Sequence, residues 1–552
     1  MKNQGFTLIE LLAVIVILAI IALIATPIII GLINNATKEA FKDSAYGIVK
    51  SGEMLYSKDL LNGITGEVTF TYNDGVESSS VSGKKLDYNG NKPKSGNVII
   101  NSEGQVAIAI HNGTYCTKKG YYDSEIILTE EAIDNCNVPL YVDSSGASMP
   151  ELTTGMIPVK WDGTNWIKAN VIDKWYDYNN KEWANAVTVT STNRTTYLNA
   201  LPGTVIPLSD INTMWVWIPR YKYAIPSGTG ARSINIIFES KTTTKSTGNA
   251  VDTNYRTHPA FTFGTTEVSG MWVGKFETTG TIGSPTILPN ITSLRSQTVK
   301  AMYDSSRAMQ NNATYGTSTD GKIHMAKDSE WGAIAYLSHS QYGINSEIYK
   351  NNSSSYYTGR SGGNVGGSQI LVGGNEYINT GFYTYDGKCA TTTTLAPGIN
   401  ANCTVTNNEL SDKTLAYKAS TTGNIYGIYD MSGGTWEYTM GMYRPTDATS
   451  VTDSSGFGAV TTAGTLPTNE YWDRYTTTTA STACSGGICY GNALSETSGW
   501  YSDGAFFVST SNPWSVRGGD YYNTTVGGAF YFYSITGESS SYDSFRLVQM
   551  KP

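Results

Sequence analysis

From Phe6 to Ile30 the chain is almost unbroken hydrocarbon, FTLIELLAVIVILAIIALIATPIII. At 1.5 Å of rise per residue, a helix of that length crosses a bilayer. One carboxylate, Glu10, interrupts the run. A charge in hydrocarbon costs about 2.5–3.5 kcal/mol on insertion scales. A plain anchor has no use for it, whereas a subunit that leaves the bilayer to join others does. Beyond Ile33 the helical period persists with polar residues admixed: Ala40, Phe41, Ala45, Ile48, Val49, Met54 and Leu55 predict one apolar stripe over 34–61. The period then drops to two. Glu67–Tyr72, Asn97–Asn101 and Val106–His111 alternate or run β-branched between Gly/Asn turns, which predicts a small antiparallel sheet packed on the helix.

Val142–Gly155 is rich in Ser, Gly and Thr and reads as a linker. Trp161, Trp166, Trp175 and Trp183 then crowd into 157–187, a small β unit whose indoles either fill a core or form a flat sugar-stacking surface. From Trp215 onward, 215–223, 234–239 and 271–277 read as strands, and Lys327–Ser338 reads as a short helix. No 20–50-residue repeat is evident.

The 552 residues predict roughly three or four units. Gly, Tyr, Thr and Ser dominate and charged residues make up only 15%, which suits β-rich extracellular domains. A net charge of -8 with no long basic run argues against nucleic acid as a partner. Six cysteines allow 15 pairings. Loop closure favours the near neighbours Cys116–Cys136, Cys389–Cys403 and Cys484–Cys489, with free buried thiols as the alternative.

Gly5-Phe-Thr-Leu-Ile-Glu10 resembles the cleavage and methylation motif of type IV prepilins. That resemblance implies cutting after Gly5 by a prepilin peptidase and methylation of the new amine on Phe6. It also implies that Glu10 pairs with the amine of a neighbouring subunit during assembly, and that Pro27 is the family's helix-kinking proline.

Three further stretches resemble the formylglycine-generating-enzyme (sulfatase-modifying factor) branch of the C-type-lectin-like fold: KDSEWGAIA at 327–335, GNIYGIYDMSGGTWEY at 423–438, and the span 514–548 with its SVRGG and SFRLV. The family's oxidase uses two cysteines between R-G-G and F-R to bind copper. Here that interval holds none, and Cys484 and Cys489 precede it. No catalytic residue is expected, nor any cofactor beyond a structural calcium. In the family this neighbourhood can hold a structural Ca²⁺ with backbone carbonyls, so the resemblance leaves Glu437 either a ligand to that ion or a partner inside the fold. Gly434 stands where the family usually has Asn. Asp328 and Glu330 look like an exposed acid pair.

Asp520–Asp543 is a Tyr/Ser/Thr/Asn/Gly-rich segment, the composition of adaptable binding loops. The segment resembles the end of C-type-lectin-like variable proteins of diversity-generating retroelements, in which template adenines, mostly in Asn codons, are mutated. Asp520, Tyr522, Asn523, Thr524, Thr525, Tyr533, Ser534, Ile535, Thr536, Ser540, Ser541, Tyr542 and Asp543 are all reachable from such codons. Glu538 is not and would be a fixed position. The resemblance implies that these thirteen residues form a diversified ligand-binding face. Gly528–Phe532 and Ser544–Leu547 would be its scaffold.

The expected class is therefore α+β. The expected organisation is a leader at 1–5, a membrane and pilus-core helix at 6–33, a pilin head at 34–140, a linker at 141–156, a Trp-rich β unit at 157–210 and a C-type-lectin-like domain at 211–552. The expected function is that of a type IV pilin-like adhesin, membrane-bound and then surface-exposed. Its partners are other pilin subunits, the prepilin peptidase, the membrane and a surface protein or glycan ligand. A structural pseudopilin without a ligand and an exported oxidase are the rival readings.

Overall fold

The computed structural model describes residues 7–62, 66–348 and 419–552, apart from short stretches at 102, 229–231, 290, 292, 446–453, 458–465, 481–482, 485–487 and 521–525, together with the backbone of the strands Cys403–Thr404 and Glu409–Leu410. The chain forms two compact units, Met1–Tyr141 with Val171–Asp173, and Val142–Asn170 with Lys174–Pro552. The class is α+β, a long helix followed by mostly antiparallel sheet.

In the first unit, helix α1 runs unbroken over Leu8–Leu61, 54 residues or about 80 Å. Pro27 lies inside it. The preceding hydroxyl, Thr26 Oγ1, donates to the Ala22 carbonyl at 2.6 Å. From Leu8 to Ile33 the large apolar side chains are exposed, with no protein packed on them. Further along, Phe41, Ser44, Ala45, Ile48, Val49 and Gly52 are buried at helical spacing. The predicted stripe therefore holds at Phe41, Ala45, Ile48 and Val49. Met54, in contrast, is 70% exposed, because it lies off that face. Gly52 brings the helix down onto the sheet: a Cβ there would meet Val106 Cγ2 at 3.0 Å.

The sheet beneath α1 has six antiparallel strands, β1 (Val68–Asn73), β2 (Val76–Ser79), β3 (Ser95–Ile100), β4 (Val106–His111), β5 (Cys116–Lys119) and β6 (Ile127–Thr129), ordered β2-β1-β3-β4-β5-β6. β4 is buried along its whole length. The Cys116–Cys136 disulfide ties β5 to the turn that follows Ile133–Asn135.

In the second unit, seven antiparallel strands form one sheet in the order Lys322–Met325, Leu547–Met550, Gly270–Gly274, Ile211–Pro219, Asn185–Val189, Ile157–Trp161 and Trp166–Lys168. Residues 157–210 are therefore not a separate unit. Asn185–Val189 is fully buried and hydrogen-bonds to Ile211–Pro219, so the sheet continues across the expected boundary. Trp166, Trp175 and Trp183 are core residues, not a sugar-stacking surface.

The expected linker also belongs to this unit. Its carbonyls satisfy indole N–H groups that burial would otherwise leave unpaired. Trp217 Nε1 donates to Ser148 O at 3.0 Å, and Trp272 Nε1 donates to Glu151 O at 2.9 Å.

A second sheet is built on Trp436–Tyr443. Trp514–Gly518 pairs with it antiparallel and Gly528–Ile535 extends that side, while Asp473–Tyr475 and Asp543–Phe545 pair with it in parallel. The Cys484–Cys489 disulfide forms as expected, and the Cys389–Cys403 pairing lies outside the described residues.

Candidate functional site

The N-terminal end of α1 is closed by a capping box. Thr7 N and Thr7 Oγ1 each donate to Glu10 Oε2 at 2.9 Å, and Glu10 N returns to Thr7 Oγ1 at 3.4 Å. The one carboxylate of the apolar run is thus held by its own helix start, where free N–H groups and the helix dipole favour negative charge. Gly5 and Phe6 lie outside the described residues.

In the second unit, three sequence blocks that are far apart in the chain converge on Trp331. The helix Asp328–Ser338 is buried throughout. The guanidinium carbons of Arg517 and Arg546 lie 5.7 and 5.9 Å from the Trp331 ring, whose Nε1 donates to Ala529 O at 2.8 Å. Arg546 Nε donates to Glu437 Oε2 at 2.9 Å and its Nη2 donates to Glu437 Oε1, with both side chains fully buried. Burial raises the Glu437 carboxyl and the guanidinium opposes the rise.

Glu437 is therefore the partner of Arg546 inside the fold, each of its oxygens accepting from that guanidinium. Among the described residues, no group of three or more His, Cys, Asp or Glu side chains is placed to hold a metal ion. Gly434 has φ +93°, and a Cβ there would meet Glu277 Oε1 at 2.4 Å, so a side chain at this position is strained and crowded.

Asp328 and Glu330 are buried, not exposed. Asp328 accepts from Thr439 Oγ1 at 2.7 Å, Tyr475 OH at 2.7 Å and Ser515 Oγ at 2.8 Å. Glu330 lies 3.0 Å from His324 Nε2 and 3.3 Å from Lys327 Nζ. Burial works to raise its carboxyl, but these two neighbours hold it down at about 2.

On this buried base sits an exposed aromatic surface. Strand alternation along Gly528–Ile535 turns Phe532 and Ser534 inward and leaves Tyr533 and Ile535 half-exposed. Tyr533 stacks on Trp436, with ring centroids 5.5 Å apart and an interplanar angle of 15°. Tyr542 meets the same indole at 6.3 Å, and Phe506 meets Tyr533 edge-on at 5.4 Å. Phe506 is 59% exposed.

The expected binding residues therefore divide. Tyr533, Ile535, Thr536, Ser540, Ser541 and Tyr542 reach the surface to differing degrees. Asp520, Ser534 and Asp543 do not: Ser534 Oγ donates inward to Phe507 O at 3.0 Å, and Asp543 is the strand partner of Trp436, held inside by the ladder. Tyr522, Asn523, Thr524 and Thr525 lie outside the described residues. Sequence reasoning missed Trp436 and Phe506. Trp436 stands in the sequence only as part of the 423–438 block, and nothing local marks Phe506 as neighbouring Tyr533 across the fold.

Residues 1–26 match the family described as prokaryotic N-terminal methylation motif. A comparison with curated proteins finds no match. The chain thus carries a prepilin-type start on a helix long and apolar enough to cross a membrane.

Proposed function

We propose that this chain is a type IV pilin-like surface adhesin whose second unit is a C-type-lectin-like binding module, with a ligand face diversified by a retroelement. Processing after Gly5 frees Phe6, Glu10 exchanges its cap for a neighbouring subunit's amine, and the exposed apolar length of α1 packs among other pilin helices. The activity is binding, not turnover.

The observation that carries the binding role is the exposed aromatic surface of Trp436, Tyr533, Tyr542 and Phe506 over a fully buried ionic base. Aromatic rings provide large contact area with few torsions to freeze, and a rigid base holds them ready. The same surface takes a protein loop or the face of a sugar.

The test is a screen of purified full-length protein against a glycan array and a panel of intact cells. Tyr533→Ala/Tyr542→Ala should lower binding at least tenfold with only a small loss of thermal stability. Equal binding by the double variant would remove the aromatic face from the function.

A further inference from the structure

Apart from the aromatic face, the second unit contains a cavity of about 490 Å³ that neither the methylation motif nor the proposed adhesin face uses. Its walls come from Asn254–Thr257, the start of the helix Asp328–Ser338, Asp473–Tyr475 and the residues Cys484, Ile488 and Cys489. Pockets at the small end of the usual 300–1,000 Å³ range suit a ligand of one or two rings.

The charges in it are unevenly matched. Arg256 lies with its guanidinium carbon 3.7 Å from the centroid of the Tyr490 ring, which fixes the plane of the fork. Its Nη2 reaches Thr247 O at 3.3 Å, while its Nε is shielded from solvent and has no hydrogen-bond partner among the described residues. The nearby Glu496 carboxylate is already engaged by Tyr223 OH, Tyr336 OH and Gly491 N. Arg474 adds a second guanidinium, anchored through Nε to Arg444 O at 2.8 Å.

Against these two cations the cavity sets one carboxylate, Asp473, which takes the Ser329 N–H at 2.7 Å. Asn492 and the apolar surfaces of Ile488 and Pro259 complete the wall. A guanidinium at the cavity wall, stacked on an aromatic ring, suits a planar carboxylate. A carboxylate and an amide opposite it suit hydroxyl groups, and Ile488 with Pro259 suits the apolar face of a ring.

We propose that this cavity binds a carboxylate-bearing sugar residue, a uronic or sialic acid unit, with Arg256 taking the carboxylate and Asp473 and Asn492 taking hydroxyls. It is a second binding site, independent of the aromatic face.

The test is calorimetric titration of the full-length protein in detergent with D-glucuronate and with N-acetylneuraminate, using D-glucose and L-glutamate as comparison ligands. The expected result is saturable binding of at least one acidic sugar, at least tenfold tighter than glucose or glutamate. Arg256→Gln should weaken it at least tenfold and Arg256→Lys less, since Arg256 is only partly buried and its loss spares the core. Tyr533→Ala/Tyr542→Ala should leave it unchanged. The proposal is overturned if no acidic sugar binds, if glucose or glutamate binds as well, if Arg256→Gln binds like the parent, or if the tyrosine variant abolishes binding.

Discussion

The indole of Trp436 and the phenol ring of Tyr533 lie nearly parallel, their planes 15° apart and their centroids separated by 5.5 Å. Trp436 comes from the central strand of the second sheet and Tyr533 from the strand two places away, so the pair bridges Trp514–Gly518 between them. Both are half-buried, and such a pair adds about 0.5–1.5 kcal/mol beyond its area. Trp436→Ala should therefore cost about 1–2 kcal/mol of stability in chemical denaturation, and Tyr533→Ala should cost less. Both should reduce ligand capture far more than they reduce stability.

Beneath that pair, the buried Glu437–Arg546 bridge behaves oppositely. Removing one partner leaves an uncompensated buried charge, at a cost of about 3–5 kcal/mol. Arg546→Ala should unfold the second unit at markedly lower denaturant, with Glu437→Gln intermediate. A loss below about 1 kcal/mol for Arg546→Ala would mean that the pair is solvated.

Asp543 makes the second unit sensitive to pH. Burial, and then the charge of Asp520, push its carboxyl up to about 8, whereas an unfolded aspartate titrates near 4. Between those values the folded state keeps a proton that the unfolded state has released. Stability is therefore full on the acid side of about 4 and falls as pH rises toward 8. Asp543→Asn fixes the neutral form. Its unfolding free energy should decline less from pH 5 to 8, by about 1–3 kcal/mol, than that of the parent.

In the first unit, the Cys116–Cys136 bridge closes a loop with a sequence separation of 20. Reduction should destabilise this unit by about 2–4 kcal/mol. Thermal unfolding with and without reductant, followed for the first unit alone by hydrogen exchange in β4 and β5, measures the difference.

The N-terminal device predicts a separation of processing from assembly. Blocking cleavage with Gly5→Val should leave an unprocessed mass by mass spectrometry. Glu10→Gln should be processed and held in the membrane fraction, yet be absent from sheared fibres. Recovery of Glu10→Gln in fibres at parental levels would separate Glu10 from assembly.

The long helix and the first sheet were legible because their patterns are local: an apolar run, one stripe at Phe41, Ala45, Ile48 and Val49, and β-branched alternation. Met54 was misread because apolar character alone does not say which side of a helix faces the sheet. The division of the second unit was not legible, because Asn185–Val189 finds its partner in Ile211–Pro219 across an intervening loop and helix. Asp328 and Glu330 look exposed in one dimension because their partners, Tyr475 and His324, are set by tertiary packing. The aromatic surface was half legible: Tyr533 and Tyr542 stood out by composition, whereas Asp520, Ser534 and Asp543 share that composition and point inward.

The central claim is a diversified recognition face on a fixed, pilin-borne scaffold. Deep sequencing of the segment encoding 514–548 in one clonal population, compared with the segment encoding the first unit, tests it most directly. The account predicts substitutions concentrated, within the codons for Tyr533, Ile535, Thr536, Ser540, Ser541 and Tyr542, at the positions that are adenines in a template copy, narrower change at the buried Asp520, Ser534 and Asp543, and none at Arg517 or Arg546. Substitutions spread evenly over both segments, with no preference for template adenines or for the exposed positions, would contradict it.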